Sequence, residues 1–137
     1  MIDIQTLGTA IESLYNGSSG ATLRALTGNG KLFQTQAPQG TAFPYIIFTM
    51  IDDINDDTFG EEMSQSRVQF SIFAKIGATS SMGSMQRALK VLYHQIALTI
   101  SGYTHISTEL ISTQDLGIDA SNIQHVVMDF YVWTQKA

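Results

Sequence analysis

Gly28-Asn29-Gly30-Lys31 sets a lysine directly after a glycine-rich turn, as a phosphate-binding loop would. Such a loop also needs glycine where Ala25 stands and Ser or Thr where Leu32 stands, so a reverse turn accounts for the run. The stretch Asp52-Asp53-Ile54-Asn55-Asp56-Asp57-Thr58-Phe59-Gly60-Glu61-Glu62 has the composition of a calcium loop and holds six of the chain's twelve acidic residues. Counted from Asp53, Thr58 falls where glycine is required and Ser64 where the bidentate glutamate belongs, so the ligand order is wrong. Charges this dense repel one another and belong in water or against a partner. His94, His105 and His125 sit on a helix and two strands without ligand spacing. His125 and Asp129 share one side of a strand, but four residues of strand rise separate them by about 13 Å, too far for a base and its orienting carboxylate. No Gly-x-Ser-x-Gly elbow presents a serine. The absence of cysteine removes thiol catalysis, thiolate zinc and disulfides together. These residues assemble no catalytic, cofactor or metal site, and the chain reads as a non-enzyme.

The elements that carry these residues must fit in 137 residues, enough for a single domain spanning 1–137. Charged residues are only 14% and hydrophobic residues 44%, a balance that favours association. Seven Lys and Arg with a net charge of -5 argue against holding nucleic acid, whose phosphates need clustered cations. No window approaches the length of a membrane span, and the start lacks the basic residues and apolar run of a secretory signal. A protein made in the cytoplasm, with no membrane partner, is expected.

Ile4, Leu7, Ile11 and Leu14 recur at helical spacing and predict an amphipathic helix over about 3–15, ended by Asn16-Gly17. One or two helical turns follow over 21–26, then a tight turn and a short strand over 31–36. Pro38, Gly40 and Pro44 oppose a helix and lead into an aromatic and β-branched strand, 45–51. The acidic stretch connects it to a second strand, 67–75, where Val68, Phe70, Ile72 and Ala74 alternate with Gln69, Ser71 and Phe73. Together these form a hairpin with a long arm. Met82, Met85, Leu89, Leu92 and Ile96 predict a four-turn helix whose outer side carries Arg87, Lys90 and His94, stopped by Ser101-Gly102. A strand over 104–112 would point Ile106 and Leu110 inward. The last strand, 123–133, alternates Val126, Met128, Phe130 and Val132 with His125, Val127, Asp129, Tyr131 and Trp133. The fold class is therefore α+β: an antiparallel sheet of four to five strands with two main helices packed on one face. The other face, with Phe73, Tyr131 and Trp133, is too apolar to be simply exposed and must be covered by loops or by another subunit, an aromatic patch on a low-charge protein favouring the second.

The run Ala-Pro-Gln-Gly-x-x-x-Pro-Tyr-Ile-Ile-Phe over 37–48 resembles the tail-completion proteins of tailed bacteriophages, the tail-terminator and tail-to-head joining family. Leu14-Tyr15, Leu23-Arg24-Ala25-Leu26, Asp56-Asp57-Thr58-Phe59-Gly60, Val68-Gln69-Phe70-Ser71-Ile72 and a later amphipathic helix follow in that family's order, over roughly residues 1 to 100. The resemblance implies a virion structural protein, a homo-oligomeric and usually hexameric ring at the head-proximal end of the tail tube. Such a ring would end tube growth and present a surface for head joining. Its partners would be the tail tube protein and a head-completion or connector protein, with genomic DNA passing through without specific binding. The resemblance implies working surfaces on loops and strand edges, which puts Asp56, Asp57, Thr58, Phe59 and Gly60 of the arm at an interface. Asp52, Asp53, Glu61 and Glu62 extend that acidic surface, Arg87 and Lys90 are its electrostatic complement, and Tyr131 and Trp133 supply an aromatic contact. The alternative reading is a small α+β enzyme or ligand-binding domain with a pocket between sheet and helices.

Overall fold

The computed structural model describes residues 2–55, 62–75 and 79–137. The first helix, α1 (Ile4–Asn16), begins where the Asp3 carboxylate accepts the N–H of Thr6 at 2.7 Å and the Thr6 hydroxyl at 2.9 Å. This cap satisfies an amide left free at the helix start, and it holds the Asp3 carboxyl below its usual range. Leu7, Ala10, Ile11 and Tyr15 form the buried stripe. A single 3-10 turn (Ser18–Gly20) leads into α2 (Ala21–Thr27). A side chain at Gly20 would collide with the carbonyl of Tyr15, so the close approach of the two helices requires glycine there. Arg24 of α2 reaches back to the carbonyls of Tyr15 and Gly17, supplying donors to the end of α1.

Five strands follow: β1 (Leu32–Gln34), β2 (Tyr45–Asn55), β3 (Met63–Lys75), β4 (Tyr103–Ile118) and β5 (Ile123–Lys136). They form one sheet in the order β1-β2-β3-β5-β4. Every pairing is antiparallel except β1 with β2, which is parallel, so the sheet is mixed rather than wholly antiparallel. β2 and β3 run past the expected ends: Asp52 pairs with Arg67 and Asp53 with Ser66. Those partners let the first charges of the acidic stretch continue the ladder instead of starting a loop.

One face of the sheet is covered by α1 and by α3 (Thr79–Tyr93). Phe70 packs on Tyr93 of α3 with ring centres 4.9 Å apart, and the Tyr93 hydroxyl donates to the Ile11 carbonyl at 2.8 Å, tying the two helices together. Burial pushes the Tyr93 phenol far above its usual range. The third helix ends earlier than its apolar spacing predicts. Gln95 adopts φ 59° and gives its N–H to the Thr108 carbonyl, which leaves Ile96 outside the helix and 37% exposed. Ile106 also departs from expectation: the register shifts between His105 and Ser107, so Ile106 sits in a bulge and points outward, while Leu110 packs against the core.

Candidate assembly surface

The sheet face away from the helices follows from the same alternation that builds the core. In β3 and β5 the residues between the core positions place Arg67, Gln69, Ser71 and Phe73 beside Tyr131, Asp129, Val127 and His125. Tyr45, Phe73 and His125 stack in a row across three strands, with ring centres 5.2 and 4.3 Å apart. Burial holds the His125 imidazole below its usual range, and the same is true of His105. Arg67 donates to Asp129 at 2.6 Å, and Ser112 on β4 donates to the same carboxylate oxygen at 3.4 Å. Asp129 raises the Arg67 guanidinium above its usual range, although the carboxylate is buried on a face that no helix covers.

Tyr131 and Trp133 lie on this open face as expected, opposite Glu109 and Ser107 of β4 respectively, and both are half-buried. Sequence reasoning missed the Arg67–Asp129 pair, since the partners stand 62 positions apart. A signal was present: once the alternation of both strands is known, a lone Asp and a lone Arg fall on one face.

The arm is the outer end of the β2–β3 hairpin. Asp52 faces the Arg67 row, whereas Asp53 turns to the helix side and accepts the Ser66 hydroxyl at 3.2 Å. Glu62 sits at the root of β3, where its carbonyl accepts the N–H of Lys136 and its carboxylate lies 3.9 Å from the Lys136 ammonium. Asp56, Asp57, Thr58, Phe59, Gly60 and Glu61 lie outside the described residues. Ile51 and Ile54 of the arm are 48% and 52% exposed.

Arg87 and Lys90 are exposed on the outer side of α3, and among the described residues neither stands within ion-pair distance of a carboxylate. His94 does not join them. Its Nδ1 accepts the Leu110 N–H at 2.9 Å, which locks the end of α3 to β4. Beside Arg87 a groove of about 470 Å³ runs between α2 and α3, where Leu26, Ala88 and Val91 share the lining with Thr22, Ser84 and Arg87.

Among the described residues no group of three or more His, Asp and Glu converges on a metal position, and no helix is long and apolar enough to cross a membrane. The space between α1 and the sheet, bounded by Leu7, Ile11, Phe48 and Val68, has no room for a water molecule.

A family model described as tail completion protein gp17 matches residues 18–135. No curated protein matches the chain by sequence. Among solved structures, a chain from the virion of a native gene transfer agent particle superposes with a TM-score of 0.83 at 11% identity, covering 97% of this chain and 99% of that one. A second solved chain superposes with a TM-score of 0.62 at 13% identity, covering 100% of this chain and 98% of its own. At such identities the likeness is one of fold.

Proposed function

The chain belongs to the tail completion protein gp17 family, and from that premise we propose that it forms a ring at the head-proximal end of a phage tail tube, ends tube growth there and presents the head-joining surface. That it is a structural protein of the virion tail follows from the family. The ring and its position are our reading, and the family match over 118 residues, 18–135, is the observation that carries it. The likeness to a chain of a gene transfer agent virion supports the same reading through the fold.

A ring with more than two members needs two different, complementary patches on each subunit, joined head to tail. The acidic arm, from Asp52 to Glu62, is one patch. The second is the basic side of α3 with Arg87 and Lys90, while Tyr131 and Trp133 add an aromatic contact on the open sheet face. Six copies would match the family habit. The neighbours along the tail would be the tube protein below and a head-completion or connector protein above. With a net charge of -5, the ring would let DNA pass without retaining it.

Removing the gene product from an infection tests this. Overlong or headless tails, restored to normal by supplying the chain, are the expected result. Tails of normal length joined to heads in its absence would overturn the proposal.

A further inference from the structure

Val91 on α3 is 74% exposed, the most exposed of the large apolar side chains among the described residues. With Leu26, Ala25 and Ala88 it lines the groove between α2 and α3, and Arg87 stands at the groove's edge. On the arm, Ile51 and Ile54 bracket Asp52 and Asp53. The two surfaces match in kind: branched apolar side chains beside basic groups on one, and branched apolar side chains beside carboxylates on the other.

They cannot meet within one chain. Ile54 pairs with Gln65, which pairs in turn with Trp133, so Ile54 lies on the sheet face opposite the helices. Val91 lies on the outer side of a helix that covers the other face. Both the sheet and α3 stand between them.

We infer that the α2–α3 groove receives the Ile51–Ile54 stretch of a second copy of the chain, with Ile54 against Val91 and Asp52 near Arg87 and Lys90. This rests on the ring reading and deepens it by naming the contact. Because donor and receptor surfaces lie on opposite sides of the subunit, each copy can dock into one neighbour and receive another, as a closed ring requires. Apolar burial in the groove supplies affinity, and the exposed charge pairs fix orientation and association rate.

The natural absence of cysteine makes the contact directly readable. Ile54→Cys and Val91→Cys both alter exposed positions, and circular dichroism checks that the fold is kept. In the double variant, mild oxidation with copper–phenanthroline should give a ladder of disulfide-linked oligomers ending in one closed species. Mixing the two single variants should stop at the dimer. If light scattering shows a ring but no 54–91 bond forms, the groove contact is wrong and the ring stands. If the chain is a monomer at every concentration tested, both fall. As a second readout, Val91→Glu places a carboxylate against the neighbour's apolar Ile54, on the side where Asp52 approaches, and should weaken association at least about tenfold, roughly 1.4 kcal/mol. Unchanged association in that variant would also overturn the inference.

Discussion

The two faces of the sheet are written by the same strands and differ in what finishes them. On the helix-covered face, Val68, Phe70, Ile72, Ala74, Val126, Met128, Phe130 and Val132 are each at most 2% exposed and pack on side chains of α1 and α3. On the open face, Arg67 Nε, Asp129 Oδ1 and His125 Nε2 are buried without a hydrogen-bond partner among the described residues. The faces differ less in the number of such atoms than in cover, since α1 and α3 pack on one and no described helix packs on the other. Among the described residues the covered face holds two, Asp53 Oδ2 and Thr134 Oγ1, both toward its arm end. The difference separates two tasks: helices complete the first face and set the stability of the fold, while the second is left with capacity that contact with another molecule can use.

The largest expected effect lies on the covered face. Phe70→Ala removes a ring packed on Phe48, Tyr93 and Phe130 and should cost about 3–5 kcal/mol in denaturant unfolding. A loss below about 1 kcal/mol would break the contrast, because the face would then tolerate a cavity. Trp133→Ala on the open face should do the reverse. It should leave unfolding nearly unchanged but weaken self-association by about 2 kcal/mol, as an aromatic anchor at an interface does. Sedimentation at several concentrations measures it, and an equal loss in monomer stability would erase the distinction.

Tyr93→Phe is a finer probe, since it deletes only the hydroxyl that reaches from α3 to the Ile11 carbonyl. About 0.5–1.5 kcal/mol should be lost, without any change in assembly. The smallest effect is a pH dependence. Burial depresses the imidazoles of His105 and His125 in the folded chain, so below their ordinary value of 6.5 the unfolded chain takes up protons that the folded chain refuses. Their contribution is therefore complete above that value and is lost as pH falls from it toward the folded values. Melting temperatures followed from about pH 7 to about pH 5 should fall less steeply in a His105→Gln, His125→Gln variant. Parallel slopes would show that neither ring is desolvated.

Residues with local periodicity disclosed themselves in the sequence. The stripe Leu7, Ile11 and the alternation around Phe70 and Phe130 needed only the spacing of 3.6 or 2, and the structure places both as expected. What stayed hidden depends on partners remote in sequence. Asp52 and Asp53 read as loop because repulsion was counted without the Arg67 and Ser66 that meet them across the ladder. Ile96 continued the spacing of α3, yet the helix stops because the Thr108 carbonyl claims the next amide. The parallel pairing of β1 has no signature in three residues. For the candidate assembly surface, the sequence disclosed Arg87 and Lys90, the acidic run and the aromatic strand face. It did not reveal the Arg67–Asp129 pair or the α2–α3 groove, since each exists only once two distant elements are side by side.

The outermost strand, β4, has sixteen residues and no proline or lysine to blunt it. An open edge strand of that length would ordinarily template strand after strand from other copies and grow into a fibre. Its register instead breaks three times, between His105 and Ser107, Leu110 and Ser112, and Asp115 and Ile118. Each break twists the edge and disturbs the even spacing of its backbone groups, and the end of α3 already holds the Thr108 carbonyl and the Leu110 amide, so an incoming strand finds no long straight run to copy. The irregular edge thus works as a brake on open-ended polymerisation. If copies associate laterally, side-chain surfaces are left to join them, and such surfaces can close on themselves in a way that an unbroken hydrogen-bonding edge cannot.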